Sequence, residues 1–458
     1  MQINWQQFGL KTNPYDTDPL VDGGELPMED AFIGRDSERM ILDDLLESEN
    51  NICLTMCGDT GVGKTSLANF QKFIWKRKEE NPFFSCRREI EASDTLLDKR
   101  SFLLEIIASI LREIALIEPK LLSDPMLSKL NAIIDFTQML AISGGISAEY
   151  AGFGGGVNFA KDRSNSLPIK LTIASTEHHF LSLLKFIKEK TIGGRQYSGI
   201  IVHVNNFDVV LKEAENKKRV IAFFNEIRNI LQTRDAHFLF LGPADFYSQI
   251  IAPEQRVRSI FVHTPLMVKP LSKMEVVRAF EKRMALLQSV DVQQYIKPID
   301  DEVVFRLYDL YGGDIRSIMT GVKDILGQCR DRLLQPLSTN EAMTLLGRER
   351  WERVESQLTK GQKTILKFLV KNDKYISTKE ASDILKKSNI SGYYFKPLKD
   401  LGILEEKERK GKTVYLGLTV EYQPLKWWVE SEGGIKKDIS EAQERQATLF
   451  DAVPSNKL

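Results

Sequence analysis

Gly58-Asp59-Thr60-Gly61-Val62-Gly63-Lys64-Thr65 is the stretch that decides the fold of this chain. An apolar run of β-type residues, 51–57, precedes it, and residues 64–76 follow with helix formers and apolar side chains at helical spacing. The glycines let the backbone approach phosphate oxygens closely, and the N–H groups at the start of a helix attract an anion. In this strand and helix context the spacing indicates a P-loop, which is favoured over a chance glycine-rich turn.

The P-loop predicts a bound nucleoside triphosphate together with Mg²⁺. Lys64 is expected to reach the β- and γ-phosphates, and the hydroxyl of Thr65 is expected to ligate the metal ion. The residues predicted to contact the nucleotide are Gly58, Asp59, Thr60, Gly61, Val62, Gly63, Lys64, Thr65 and Ser66.

A neighbouring strand should end in the acid that helps to hold Mg²⁺, the Walker B aspartate. The best candidate is the apolar run 199–204, which continues into Asn205-Asn206. Standard spacing puts Asn205 at the metal position and Asn206 at the position of the water-activating acid. A neutral amide cannot take a proton from water near neutral pH, so hydrolysis is expected to be weak or absent. The alternative is that a different strand fills this role, although no other apolar run after the P-loop ends in paired acids.

The P-loop is preceded by Phe32-Ile33-Gly34-Arg35-Asp36-Ser37-Glu38 and followed much later by Gly313-Asp314-Ile315-Arg316. Both stretches resemble motifs of the AAA+ P-loop ATPases, especially the initiator-type, origin-recognition-like members and related bacterial ATPases. The resemblance implies that the cofactor is ATP or ADP. It also implies that Phe32, Gly34 and Arg35 cover the nucleotide base, and that Arg316 points at the nucleotide as sensor 2.

Two further features are interpreted through the same resemblance. Residues 236–242 resemble the strand that carries sensor 1, but this run ends in Gly242-Pro243 in place of the usual polar residue. Arg256 and Arg258 fall where the family has an arginine finger, although ordinary surface arginines fit equally well. An arginine finger acts on a neighbour, so the resemblance implies self-association or a partner ATPase subunit.

The alternation of strands and helices predicts an α/β fold with a parallel sheet covered by helices on both faces, followed by a helical lid and a winged-helix domain. The predicted divisions are an N-terminal arm 1–30, a nucleotide-binding core 31–270, a helical lid 271–346, a winged helix-turn-helix 352–425 and a disordered tail 426–458. The glycine-rich stretch 144–157 is interpreted as a hairpin, either a plain surface element or an insertion that contacts DNA or a partner.

The C-terminal part contains three predicted helices from residue 358 onward and then a hairpin around Lys410-Gly411-Lys412. This order resembles a winged helix-turn-helix domain, which implies contact with double-stranded DNA. Cations of this kind bind mainly phosphates, so base readout is expected to be weak. The alternative is a winged helix that packs only on proteins. The residues predicted to contact DNA are Tyr393, Tyr394, Lys396, Lys399, Lys407, Arg409, Lys410 and Lys412.

The polar C-terminal tail contains one apolar pair, in Gln446-Ala447-Thr448-Leu449-Phe450. This stretch resembles the peptide by which bacterial proteins dock on the replicative sliding clamp, which would make Gln446, Leu449 and Phe450 the docking residues. The alternative is a short helix that packs on the protein's own surface.

Composition sets broad limits on the class of protein. The length of 458 residues suggests about three domains. Lys and Arg total 63 and Asp and Glu total 63, so net charge indicates no partner. The four cysteines are scattered without metal-ligand spacing, which favours a reduced, cytoplasmic compartment. No apolar run is long enough to span a membrane, so no membrane partner is expected.

These features favour an ATP-controlled DNA-binding AAA+ protein that acts in DNA replication, transposition, repair or mobile-element defence. One alternative is a signalling or scaffold protein that holds ATP permanently and binds proteins through its winged helix. Another is an active ATPase motor in which a partner subunit supplies the missing acid.

Overall fold

The computed structural model describes residues 3–48, 50–143, 172–213, 215–262, 264–329 and 336–430. The chain divides into two compact units, residues 18–271 and residues 1–17 together with 272–458. The glycine-rich stretch 144–157 and the clamp-like peptide with Gln446, Leu449 and Phe450 lie outside the described residues.

The unit of residues 18–271 is built on a parallel sheet of six strands in the order β2-β6-β7-β1-β8, with β3 also paired to β6. A short antiparallel pair, β4 and β5, lies apart from this sheet. The strands are β1 (Cys53–Cys57), β2 (Phe83–Ser85), β3 (Ile90–Glu91), β4 (Thr191–Ile192), β5 (Arg195–Gln196), β6 (Gly199–Asn205), β7 (Ala236–Gly242) and β8 (Leu266–Met267).

The described residues of this unit also form α-helices. They are α1 (Met28–Ala31), α2 (Asp36–Ser48), α3 (Lys64–Arg77), α4 (Lys99–Ile117), α5 (Pro125–Ser143), α6 (Ile173–Glu189), α7 (Phe207–Val210), α8 (Asn216–Leu231) and α9 (Gln255–Arg258). The short strands β2 and β3 both pair with β6.

Every residue of β1, β6 and β7 is buried, as expected for parallel strands with both faces covered. Side chains alternate between the two faces. Cys53 and Cys57 belong to the larger apolar core, whereas Leu54 and Met56 belong to a second core on the opposite face. The two thiols therefore share one face of β1.

The other unit begins with a helical lid whose four helices are α10 (Lys273–Leu286), α11 (Asp301–Tyr311), α12 (Ile315–Gly327) and α13 (Thr339–Val354). The N-terminal segment packs against the first of these. Lys11 N donates to Leu287 O at 2.7 Å, and the rings of Tyr15 and Phe280 meet edge to face with centroids 5.2 Å apart. The predicted N-terminal arm 1–30 is thus split, because residues 1–17 belong with the lid and residues 18–30 with the sheet unit.

The winged-helix part contains α14 (Lys360–Asn372), α15 (Thr378–Leu385) and α16 (Lys396–Asp400), and an antiparallel sheet of β9 (Ile376–Ser377), β10 (Leu404–Lys410) and β11 (Thr413–Leu418) in the order β10-β11-β9. The predicted third helix from Ser391 is present as a π-type turn, residues 391–395, that leads into α16. Thr359 and Ser377 cap α14 and α15, each with a reciprocal glutamine or glutamate three residues later.

Lid and winged helix are joined by a buried arginine. Arg350 on α13 is 1% exposed, and its guanidinium contacts Asp324 Oδ2 at 2.7 Å and Glu421 Oε1 at 2.9 Å, as well as the adjacent Glu349. Burial alone would lower the pKa of Arg350, but Asp324 and Glu421 raise it above its ordinary value. Helix α13 runs through residues 346–352, so the predicted boundary between lid and winged helix falls within one continuous helix.

The last described element is α17 (Leu425–Glu430), which packs on α13. A Cβ at Gly347 of α13 would lie 2.3 Å from Pro424 O, so the close approach of these segments requires glycine. Residues 426–430, which were assigned to a disordered tail, therefore lie in a packed helix. None of the helices in the described ranges is long and apolar enough to cross a membrane.

Candidate functional site

The loop between β1 and α3 has the geometry of an anion-binding site. Gly61 and Gly63 adopt φ values of +77° and +92°, which disfavour any residue with a Cβ. A Cβ at Gly58 would lie 2.4 Å from Val268 O, so the loop also needs glycine there. Helix α3 begins at Lys64 with no side-chain cap, which leaves the N–H groups of its first turn for an anion such as phosphate.

Lys64 lies at this loop with its Nζ atom 2.8 Å from both Gly58 O and Asp59 O. The ammonium therefore bridges the start of the loop and is held next to the uncapped helix terminus. A cation and several N–H donors in one place provide charge-assisted hydrogen bonds for phosphate oxygens.

Arg35 is buried and has a left-handed backbone with φ of +71°. Its guanidinium donates to Val62 O at 2.6 Å and to Lys269 O, and it pairs with Glu38 at 3.0 Å. The structure thus has Arg35 bonded to the carbonyl of a P-loop residue, so this side chain positions the loop. Its predicted contact with the nucleotide base stays a prediction.

Phe32, the other large residue of this motif, stacks on Phe70 of α3 with ring centroids 4.0 Å apart and an interplanar angle of 6°. Gly34 also has a positive φ, +70°, next to Arg35. The motif around residues 32–38 is therefore packed on the P-loop helix, and one face of the Phe32 ring is already covered.

The metal side of the site is formed where β6 ends. Asn205 is 8% exposed, and its Nδ2 atom lies 2.9 Å from Thr65 Oγ1. Of the strands considered from sequence, β6 therefore brings its terminal side chain to the hydroxyl that is predicted to ligate Mg²⁺. Asn206 follows in a left-handed conformation with φ of +67°, which asparagine tolerates better than most residues, and is half-buried.

Sequence reasoning missed one residue here, Glu89. Its Oε1 atom lies 3.5 Å from Asn205 Nδ2, directly before strand β3. The signal that could have found it is an acid directly before a short strand that pairs with the carboxyl end of β6. Glu89 and Asn205 are 116 residues apart in the chain, so no local pattern joins them.

The donors around Thr65 suit Mg²⁺. The hydroxyl of Thr65 and the carboxylate of Glu89 provide oxygen ligands, which this ion prefers, and it usually keeps several waters and uses one or two carboxylates. No group of three or more His, Cys, Asp or Glu side chains that could hold a metal by themselves occurs among the described residues.

The remaining predicted residues lie apart from this cluster. Gly242 ends β7 where sensor 1 was expected, and a Cβ there would lie 2.4 Å from the Phe246 ring, which explains why a polar side chain is absent. Arg256 and Arg258 are exposed on α9, on either side of buried Val257. These two arginines are free of the P-loop and accessible from solvent.

Arg316 is the second residue of α12 in the lid and is exposed. The preceding Asp314 caps this helix, since its Oδ1 atom accepts from Ser317 N at 3.1 Å. The aspartate of the predicted sensor 2 motif therefore fixes the start of the helix, and this leaves the arginine side chain on the surface of its unit.

The winged-helix surface is less basic than the sequence suggested. Three of the predicted DNA-contacting cations on the hairpin pair with glutamates of the same strand: Lys407 with Glu405, Arg409 with Glu406 at 2.8 Å, and Lys410 with Glu408 at 3.3 Å. Lys396, Lys399 and Lys412 are exposed. Tyr393 is 67% exposed, whereas Tyr394 is half-buried and packs against the domain core.

The order of the elements decides the fold. Strand β1, which carries the P-loop, lies between β8 and β7, and β7 separates it from β6, whose end meets Thr65. A four-helix lid and a winged helix follow. The chain therefore has a P-loop NTPase fold that is followed by a helical lid and a winged helix.

No protein-family model and no curated protein sequence matches the chain. Among solved structures, the Aeropyrum pernix ORC1 protein in complex with DNA is 14% identical, with 90% of this chain and 95% of that chain covered and a TM-score of 0.43. Cdc6p from Pyrobaculum aerophilum is 14% identical, with 92% and 98% covered and a TM-score of 0.41.

A third solved structure is a RuvB variant from Thermotoga maritima, which is 11% identical, with 86% of this chain and 95% of that chain covered and a TM-score of 0.36. Likenesses at this level concern the fold alone, and function has to be argued from this chain's own residues.

Proposed function

We propose that this AAA+ chain is an ATP-controlled DNA-binding protein in which nucleotide occupancy, more than hydrolysis, sets its state. The observation that carries the proposal is the contrast at Thr65. The phosphate side has an uncapped helix start and Lys64, while the strand end that faces Thr65 presents the amide of Asn205. Differential binding of ATP and ADP can shift a conformational equilibrium without rapid turnover.

Weak hydrolysis follows from the chemistry of the strand end. Bound Mg²⁺ would supply charge neutralisation at the β- and γ-phosphates, with Thr65 as ligand. A water-activating base must accept a proton, and the amides of Asn205 and Asn206 cannot do so near neutral pH. We therefore place Asn205 and Asn206 in orienting roles and expect turnover far below that of a typical AAA+ enzyme.

DNA is the proposed partner of the winged helix. Lys396 and Lys412 are exposed and make no ion pair with any residue in the part of the chain that the structure describes. Exposed lysines of this kind neutralise phosphates and give salt-dependent, weakly sequence-specific binding. Replication, transposition, repair and mobile-element defence are the processes we propose for such a protein.

Two binding measurements test the proposal. A fluorescent ATP analogue should bind the full chain, and Lys64→Ala should weaken this binding roughly 10- to 100-fold because a charged hydrogen-bond donor to phosphate is lost. A random DNA duplex at low salt should bind, and the pair Lys396→Glu and Lys412→Glu should weaken binding about 10-fold and lower the salt slope by about two. Lys367→Glu, on the exposed side of α14, is the matched control. The absence of nucleotide binding by the parent protein would refute the proposal.

The arrangement of the hairpin favours one alternative, a nucleotide-stabilised scaffold whose winged helix binds proteins. Its cations on β10 are already paired with Glu405, Glu406 and Glu408, which lowers their attraction for DNA phosphates. In that case DNA would not bind even at low salt, while nucleotide binding would persist.

A motor completed by a partner subunit remains the other alternative. Arg256 and Arg258 are exposed and could reach a neighbour's γ-phosphate after self-association. Docking on a sliding clamp through Gln446, Leu449 and Phe450 is likewise a proposal that requires a direct binding test. Rapid ATP turnover by the purified chain that is lost in Lys64→Ala would favour the motor.

A further inference from the structure

We propose that Glu89 supplies the carboxylate of the magnesium site. Strand β6 does not supply one, because it ends in Asn205. The inference rests on the nucleotide-binding function proposed above. Glu89 lies outside the P-loop and outside β6, the strand that was predicted to carry the acid.

The backbone holds Glu89 next to this strand end. Strand β3 runs parallel to β6, with Ile90 opposite Val204 and Glu91 opposite Asn205. Ala92 N also donates to Asn205 O at 2.8 Å. Glu89 therefore directly adjoins residues that ladder hydrogen bonds hold against β6.

The side chains form a line from the P-loop to the carboxylate. Asn205 Nδ2 lies 2.9 Å from Thr65 Oγ1 and 3.5 Å from Glu89 Oε1, the second contact being at the outer limit of a hydrogen bond. A carboxylate one amide away from the metal-ligating hydroxyl can accept hydrogen bonds from metal-bound water. An amide that donates to such a carboxylate also orients it.

Glu89 has a second neighbour, which defines the competing structural role. Lys72 on α3 is buried, and burial lowers its pKa to about 8, whereas Cys86, Glu89 and Glu113 act to raise it. If Glu89 served only to balance this ammonium, its loss would weaken nucleotide binding equally with and without metal. A role at the metal site predicts a loss that depends on Mg²⁺.

The experiment measures the dissociation constant of a fluorescent ATP analogue with Mg²⁺ and with EDTA, for the full chain and for Glu89→Gln. With Mg²⁺ we expect Glu89→Gln to weaken binding about 10-fold, the usual effect of removing a group that supports a metal ligand. With EDTA we expect unchanged or tighter binding, because a negative charge near the triphosphate has been removed. Glu79→Gln, an exposed glutamate at the end of α3, makes the same charge change away from the site.

A rescue variant completes the design. Asn205→Asp in the Glu89→Gln background returns a carboxylate beside Thr65, and we expect it to restore most of the Mg²⁺-dependent affinity. Equal weakening in Mg²⁺ and EDTA, or no weakening in Mg²⁺, would overturn the assignment of Glu89. If the parent chain and Lys64→Ala had the same nucleotide affinity, the nucleotide-binding proposal itself would be overturned.

Discussion

Around the phosphate loop, Arg35 and Asn205 are buried and bond to groups from distant parts of the chain. Arg35 bonds to carbonyls of Val62 and Lys269, and Asn205 bonds to Thr65. On the winged-helix hairpin, by contrast, Lys407, Arg409 and Lys410 pair with glutamates two or three residues away. The first arrangement preorganises a site before ligand binding, whereas the second leaves a surface whose charge can rearrange when a partner arrives.

The unit of lid and winged helix shows both arrangements. It has exposed lysines on its surface and a buried cluster of charged side chains in its interior. Arg350 joins α12, α13 and the segment after β11 through Asp324 and Glu421. The hairpin is thus carried on a part that a buried ion cluster links to the lid.

The largest effect is expected from breaking this cluster. Arg350→Met removes the buried guanidinium of this cluster and leaves Asp324 and Glu349 with the more exposed Arg353 as their cationic partner, so the unit should lose about 3 kcal/mol of unfolding free energy. Urea denaturation measures it. Arg348→Met, on the exposed side of the same helix, should cost less than about 1 kcal/mol. Equal losses for the two variants would contradict the assigned role of the cluster.

A smaller effect is expected in the sheet unit, where polar groups are buried as neutral species. Burial lowers the pKa of His237 to about 4, although nearby Asp235 acts to raise it. Below the ordinary pKa of histidine the unfolded chain therefore binds a proton that the folded protein excludes. Stability due to this group is complete above pH 6.5 and is lost as pH falls toward 4, at up to about 1.4 kcal/mol per pH unit.

His237→Gln removes this titration and should reduce the loss of stability between pH 6.5 and 4.5 by roughly 2 kcal/mol. Denaturant titrations at several pH values measure the difference. His178→Gln, at an exposed position on α6, is the matched control for the change of side chain. If stability changed with pH equally in the parent and in His237→Gln, the ring would be protonated in the folded state. That result would conflict with the burial of the ring, which packs edge to face on Phe83.

The phosphate loop and the winged-helix hairpin differ in how much of their structure could be predicted from the sequence. The P-loop was predictable because its chemistry depends on consecutive residues. The bond of the Arg35 guanidinium to Val62 O was not predicted, since it depends on a left-handed backbone and on a carbonyl 27 residues away. Glu89 was not predicted, because its contact with Asn205 depends on the register of two parallel strands, which local patterns do not determine.

The hairpin is a different case, since its signal was present in the sequence. Glu405 and Lys407 are two residues apart on one strand, so they share a face, and alternation places their charges together. Counting the cations alone predicted a basic wing, whereas counting both signs predicts a nearly balanced one. The charge of a surface element has to be read with its own acids included.

The smallest expected effect tests the hairpin directly. Glu406→Gln together with Glu408→Gln frees Arg409 and Lys410, so duplex DNA should bind about three-fold more tightly, with a salt slope steeper by up to about two. Fluorescence anisotropy at two salt concentrations measures both quantities, and Glu352→Gln on α13 is the control for the change in net charge. If freeing these cations leaves DNA affinity unchanged, the hairpin does not face DNA. The glutamates would then be part of a surface that recognises a protein, because a DNA-facing hairpin cannot gain positive charge without gaining affinity for phosphate.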